Sequence, residues 1–206
     1  MPVDRDRLAG LIREGLPQGE TVGIALSGGG DSTALLHLAL RAGLTVEAVT
    51  VDHRLRPESA AEAQTVAAAC AALGVRHAVR VWDHGAIPGN LMDAARRARI
   101  GLIAGWAASR GIGTVALGHT RDDQAETVLM GLARTAGLAG LSGMRPAWRE
   151  AGVEFRRPLL AAGRADLRDW LRAEGIGWID DPTNENDRFA RTRARKALAA
   201  LAPLGI

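Results

Sequence analysis

Short apolar runs rich in β-branched residues alternate along the chain with longer stretches of helical periodicity. The runs are Thr21–Leu26, Thr45–Asp52, Arg76–Val81 and Gly113–Gly118; the helical stretches are about Ser32–Arg41, Glu58–Leu73, Leu91–Arg110 and Asp122–Arg134. Alternation at this spacing predicts an α/β fold, a Rossmann-like doubly wound parallel sheet with helices on both faces. A further strand is expected near Glu154–Leu160 and a helix near Arg164–Glu174. The first 16 residues alternate charge with apolar side chains, which predicts an amphipathic helix and lacks the apolar centre of a signal peptide. Gly137–Met144 is Gly-rich and reads as a loop. Pro182, after two aspartates, marks a boundary, so residues 1–183 read as the body and residues 184–206 as a basic final helix. Ligands of such sheets bind beyond the carboxyl ends of the strands, and the polar clusters fall there.

Composition narrows this picture. Of 206 residues, 47% are apolar and 24% charged, enough for a sizeable core and too apolar for a disordered chain. There is no apolar run of about 18 residues, so no transmembrane helix is expected. The single cysteine, Cys70, sits in an Ala-rich helical stretch and cannot form an internal disulfide, which suits a cytoplasmic chain. The Arg- and Ala-rich, Tyr-free composition is also what a GC-rich genome produces, so the placement of charge says more than its amount. Arg188, Arg191, Arg193, Arg195 and Lys196 outweigh Glu185 and Asp187 in the tail, which thereby carries the whole formal excess of +3. A basic tail on a neutral body points to a local contact with an anion such as RNA.

The most informative segment is VGIAL-SGGGDS-TALLHLAL, a strand running through Ser27, Gly28, Gly29, Gly30, Asp31 and Ser32 into a helix. Glycines let backbone amides approach an oxyanion closely, and a helix N-terminus adds free N–H groups and positive dipole character. The loop has neither the Lys-Ser/Thr pair of a Walker A motif nor the spacing of a dinucleotide fingerprint. A carboxylate beside polyphosphate repels it, so Asp31 makes sense as a ligand for Mg²⁺ bridging to the phosphates. Capping of the helix by Ser27 and Asp31 is the alternative, and it leaves three consecutive glycines unexplained.

SGGGDS resembles the SGGxDS pyrophosphate loop of the N-type ATP pyrophosphatases, which have an adenine nucleotide alpha hydrolase-like fold. These enzymes split ATP into AMP and pyrophosphate by adenylating an acceptor oxygen. The group includes GMP synthetase, NAD synthetase, tRNA thiolases and tRNA(Ile)-lysidine synthetase, and the loop alone does not choose among them.

Other segments choose. The second strand ends in VDHRLRPESA, residues 51–60. Asp52 lies 22 residues after Gly30, a distance at which an acid reaches ribose hydroxyls in related sheets, and backbone groups of Val51 and His53 would flank adenine. His53 taken alone is as well explained as a structural hydrogen-bonding residue, but the string DHxLRPES resembles the lysidine synthetases. The fourth strand ends in GHTRDDQAETVL, residues 118–129, in which Asp122 with Glu126 and Asp123 with Glu126 share a helix face. Thr120 with Asp123 also approximates a capping box, which explains Asp123 but not His119 or Glu126. GHxxDDQAET is similar to the most recognisable signature of the same family, and the resemblance sets Gly118 and His119 beside the nucleotide. Arg96 and Arg99 fall in a stretch resembling its AARxxR helix, where arginines three apart can meet one phosphate. Gly137–Met144, Arg157–Leu160 (RPLL) and Asp181–Arg195 resemble further ordered motifs, so the likeness covers nearly the whole chain. Two positions depart from it: Ile100 stands where an aromatic residue is usual, and Thr192–Arg195 reads TRAR instead of Asn-Arg-Ile-Arg.

The resemblance implies a ligase that adenylates the C2 oxygen of the wobble cytidine, position 34, in a tRNA(Ile) with a CAU anticodon; free L-lysine then displaces AMP. Implied roles are ATP phosphate binding by Ser27–Ser32, Mg²⁺ binding by Asp31, charge stabilisation by Arg96 and Arg99, lysine recognition by Asp123 and Glu126, and tRNA contact by Arg191, Arg193 and Arg195. Sulfur carriers of the group need paired cysteines or an iron–sulfur cluster, which one cysteine cannot supply. A non-catalytic nucleotide- or RNA-binding relative, and a ligase using another amine or acceptor, remain alternatives.

Overall fold

The computed structural model describes residues 4–55, 57–85, 89–134, 137, 141–180 and 190–201. Their elements are α1 (Arg5–Gly15), β1 (Thr21–Ala25), α2 (Gly30–Arg41), β2 (Thr45–Asp52), α3 (Ser59–Ala72), β3 (Arg76–Val81), α4 (Leu91–Ser109), β4 (Thr114–Leu117), α5 (Arg121–Ala133), β5 (Ala147–Glu150), β6 (Val153–Arg156), α6 (Arg164–Ala173) and α7 (Ala190–Leu201). The expected strands and helices all form, with ends within a few residues. The expected boundary at Pro182 and part of the Gly-rich stretch fall outside the described residues.

The six strands form one sheet in the order β3-β2-β1-β4-β6-β5. Five run parallel; β5 pairs antiparallel with β6, so the sheet is not purely parallel. The reason lies between those strands, where Ala151 and Gly152 have φ of 49° and 82°. Two consecutive positive φ values make the tight hairpin turn whose twist matches its strands.

Both faces of the sheet are covered. One core holds Leu8 and Ile12 of α1, Leu35 and Leu38 of α2, Val66 and Cys70 of α3, and Leu167, Trp170 and Leu171 of α6. The other holds Ile103, Ala104, Trp106 and Ala107 of α4 against Val115, Leu117, Val153 and Phe155. β4 is buried throughout and β1 at all but its first residue, as expected of parallel strands at the centre of such a sheet. The strand order reverses between β1 and β4, so a crevice opens there beyond their carboxyl ends. α7 packs along α5 and closes one side of that end of the molecule.

Gly118 follows β4 at this crevice. A Cβ there would stand 2.9 Å from the Asp31 carbonyl oxygen and 3.0 Å from Ser32 Cα. Backbone cannot retreat as a flexible side chain does, so only glycine lets β4 meet the first turn of α2. Gly118→Ala is therefore expected to destabilise the chain by about 1–3 kcal/mol, read as a lower urea midpoint at unchanged slope. A midpoint equal to wild type would mean that the contact has slack.

Candidate active site

β1 hands directly to the glycine loop. The Leu26 amide still pairs with the Val49 carbonyl at 2.9 Å; beyond it the loop is tied from within. The Ser27 amide donates to Ser32 Oγ at 3.2 Å, Ser32 Oγ donates to the Gly29 carbonyl at 3.0 Å, and Thr33 Oγ1 donates to the Gly28 carbonyl at 3.2 Å. Gly28 has φ of 84°, and a Cβ on it would meet Val66 and Ile179 at 2.7 and 2.8 Å. The residue capping α2 is Gly29, and no side chain caps the helix. The alternative in which Ser27 and Asp31 serve as caps is thus not what the structure shows. The first amides of α2 are left for a ligand, at the positive end of a helix dipole.

Beside the loop lies a cavity of ≈ 320 Å³, lined by Ser27 and Gly29 at one end and by Val51, Asp52 and His53 at the other. Leu55, Ala63, Ile103 and Ile179 supply apolar walls, and Arg99 reaches its edge. His53 Nδ1 is buried there without a hydrogen-bond partner. Asp52 is committed locally. Burial raises its pKa, but hydrogen bonds from Ser59 and from the Arg54 amide (2.9 Å) prevail and hold the carboxyl below its ordinary value.

The acids of α5 stand across the crevice. Thr120 and Asp123 form a true capping box: Asp123 Oδ2 accepts from the Thr120 amide at 2.8 Å and from its hydroxyl at 3.0 Å. The two readings of Asp123 therefore divide between its oxygens, because Oδ1 faces the site. Glu126 is only 1% exposed, and its compensating charges are arginines. Arg164 Nη1 and Arg195 Nε lie 3.1 and 2.9 Å from Oε1, and Arg191 Nε lies 3.3 Å from Oε2. Arg164 also reaches Asp123 Oδ1 at 3.1 Å and Asp31 Oδ2 at 3.3 Å. Arg191 and Arg195 of α7 thus turn into the acidic pair, whereas Arg193 lines a groove with Leu129, Met130 and Ala133.

Asp31 Oδ1 is buried and has no hydrogen-bond partner. An orphaned carboxylate oxygen at the lip of a phosphate-type loop fits a hard cation that draws its other ligands from phosphate and water. Burial raises the Asp31 pKa, opposed by the Arg164 charge. Among the described residues no cluster of three or more His, Cys, Asp or Glu could hold a metal by itself.

Cations gather opposite the acids. Arg99 is pushed below its ordinary pKa by burial and by the charges of Arg96 and Arg191. Arg157 is lowered to about 10 by burial, Arg96 and Arg191. Sequence reasoning placed Arg157 only within a motif and gave Arg164 no role. Arg157 lies 4.1 Å above the Trp148 ring, which stacks on Phe155, and its Nε donates to His119 Nδ1 at 3.0 Å. Accepting at Nδ1 fixes His119 as the neutral imidazole with its proton on Nε2.

The fold and site define a nucleotide-binding α/β protein of the kind that grips phosphate with a glycine loop at a topological switch point. The chain belongs to the PP-loop domain family, which it matches over residues 3–202. It is 53% identical over 189 residues to a tRNA(Ile)-lysidine synthase of Ruegeria pomeroyi, covering 90% of this chain and 45% of that protein. It is 41% identical over 209 residues to one of Methylobacterium nodulans, covering 100% of this chain and 62% of that protein. The chain thus spans about half the length of the curated relatives it matches. Among solved structures it shares its fold with the U34-tRNA thiolase NcsA of Methanococcus maripaludis, with a TM-score of 0.80 at 15% identity, covering 95% of this chain and 72% of that one. No helix among the described residues is long and apolar enough to cross a membrane.

His119 makes stability pH-dependent. Burial, then Arg99 and Arg157, lower its pKa from 6.5 to about 3. Between those values the unfolded chain binds a proton that the folded chain refuses, so this contribution to stability is lost as pH falls. Thermal midpoints measured between about pH 7 and pH 5 should drop less in His119→Gln than in wild type. Parallel pH profiles would overturn the assignment of a neutral, buried His119.

Proposed function

We propose that the chain is the catalytic portion of a tRNA(Ile)-lysidine synthase. The observation that carries this reading is the meeting, at one switch point, of a glycine loop suited to polyphosphate and a buried acidic pair suited to an ammonium group. Its similarity to tRNA(Ile)-lysidine synthases supports it. In the first half-reaction the C2 oxygen of cytidine 34 in the CAU anticodon of tRNA(Ile) attacks the α-phosphorus of ATP, and pyrophosphate leaves. In the second, the side-chain amine of free L-lysine attacks C2, the C2–O bond breaks, AMP departs and the nitrogen loses a proton.

The amides of Gly28–Ser32 bind the phosphates, and Ser27 and Ser32 hold the loop in shape. The cavity bounded by Val51, Asp52 and His53 takes the nucleoside, with Gly118 and His119 closing the opposite side. Asp31 Oδ1 would hold Mg²⁺, which supplies charge neutralisation on the phosphates when bound. Arg96 and Arg99 stabilise charge that develops during adenylyl transfer, an electrostatic contribution that needs no covalent chemistry. Asp123 Oδ1 and Glu126 receive the lysine ammonium, which arrives charged because its unperturbed pKa is about 10.4. Attack needs the neutral amine, so a carboxylate or an AMP phosphate oxygen must take the proton. Arg191 and Arg195, already paired with these acids, must share them with the incoming amine. Arg193, on the groove side of α7, joins them as a tRNA phosphate contact.

A sulfur-transfer reading is disfavoured by Cys70. It is 0% exposed, and burial pushes its thiol up to about 11, so it is neither accessible nor a thiolate.

Incubation with ATP, L-lysine and tRNA(Ile) is expected to release pyrophosphate and add one lysyl residue to the tRNA by intact mass. Pyrophosphate release without the mass gain would indicate another amine or acceptor, and neither would indicate a non-catalytic relative. Glu126→Gln should raise the lysine requirement about tenfold or more while moving the ATP requirement little, because a neutral amide loses the charge-assisted contact. The opposite pattern would assign the acids to the nucleotide. Arg193→Ala should flatten the salt dependence of tRNA binding by about one counterion. An unchanged slope would make Arg193 a packing residue.

A further inference from the structure

Arg164 takes no part in the reaction as derived above, yet it touches the three carboxylates given metal- and amine-binding roles there, Asp31, Asp123 and Glu126. Its Nε lies 3.3 Å from Asp31 Oδ2, its Nη1 3.1 Å from Glu126 Oε1 and its Nη2 3.1 Å from Asp123 Oδ1. The side chain is 14% exposed. Its backbone is fixed as firmly. The Arg164 amide donates to Asp122 Oδ2 at 2.7 Å, and two residues earlier the Ala162 carbonyl accepts from the Arg121 amide at 2.9 Å. The first turns of α5 and α6 are therefore locked together, and the guanidinium projects from that lock to Asp31 on the first turn of α2.

We propose that Arg164 is a positioning residue: one guanidinium sets the spacing between the carboxylate on the nucleotide side, Asp31, and the pair on the amine side, Asp123 and Glu126. The proposal rests on the roles given to those acids above. Three carboxylates in a half-buried site repel one another and would swing apart without a cation between them. A planar guanidinium offers donors on separate edges, so it can hold three acceptors in a fixed triangle. Gripping Asp31 by Oδ2 also leaves Oδ1 without a partner, so that oxygen would be available to a cation. A lysine at this position keeps the charge but concentrates it in one ammonium, which cannot span acceptors held by Nε, Nη1 and Nη2. Removal of charge and removal of geometry are thus separable by substitution.

The test compares Arg164→Lys with Arg164→Met, using Mn²⁺ as a paramagnetic probe together with a non-hydrolysable ATP analogue. The positioning role predicts that Arg164→Lys weakens nucleotide-dependent Mn²⁺ binding about tenfold, while analogue binding without metal changes by less than about threefold. In turnover the same variant should raise the lysine requirement, so one substitution moves both sides of the site. If Arg164→Lys binds Mn²⁺ like wild type and Arg164→Met binds it more tightly, Arg164 is a counter-charge only and the proposal is overturned. Should either variant fail to fold, Arg164→Gln, which keeps a planar donor group, takes its place with the same two readouts. Mn²⁺ binding requires no tRNA and no turnover. A wild-type chain that binds Mn²⁺ and nucleotide but forms no lysine adduct would therefore sink the functional reading, and the metal result would still decide the role of Arg164.

Discussion

The contact between the end of β4 and the first turn of α2 governs the geometry of everything beyond the sheet. At Gly118 two backbones approach to distances that no Cβ survives, and this happens where the strand order reverses. A parallel sheet opens a crevice at such a point because its two neighbouring crossovers leave in opposite directions. The glycine contact holds the first turn of α2 against the residue after β4, so Asp31 at the start of α2 is brought near the acids at the start of α5. Had the residue after β4 carried a side chain, the two helix starts would stand further apart, and one arginine would not bridge them.

That bridging addresses an electrostatic difficulty. Glu126 is almost wholly buried, and a buried carboxylate is tolerable only with compensating charge and hydrogen bonds. Compensation comes from three arginines on two helices, Arg164 of α6 and Arg191 and Arg195 of α7. The basic tail is therefore bound up with the structure of the site. In α7, Arg191 and Arg195 face these acids, whereas Arg193 lines the groove beside α5.

Much of this was legible in the sequence because parallel strands and their helices carry strong periodic signals, and because Ser27–Ser32 and Gly118–Glu126 are continuous strings at strand ends. The hairpin of β5 and β6 was not legible. Its turn is Ala151–Gly152, and alanine at positive φ is not a signal that composition supplies. The divided role of Asp123 was visible only as two competing readings, since one-dimensional spacing cannot assign separate oxygens. Arg164 and Arg157 escaped for another reason. Arg157 reaches His119 38 residues away along the chain and Arg164 reaches Asp31 133 residues away, so nothing local distinguishes these contacts from those of the other arginines of an arginine-rich protein.

The arrangement that results is polar across the crevice. The carboxylates of Asp31, Asp123 and Glu126 are threaded by guanidinium groups. Arg96, Arg99 and Arg157 lie close to Arg191, which pairs with those acids, and Arg99 and Arg157 are held below the ordinary arginine range. Burial is the first cause of that depression, and the neighbouring charges of Arg96 and Arg191 add to it. Because Arg157 donates to its Nδ1, His119 remains neutral and adds no further positive charge where cations already crowd. Charges of both signs thus line one crevice, and the backbone contact at Gly118 holds the first turn of α2 against the residue that follows β4.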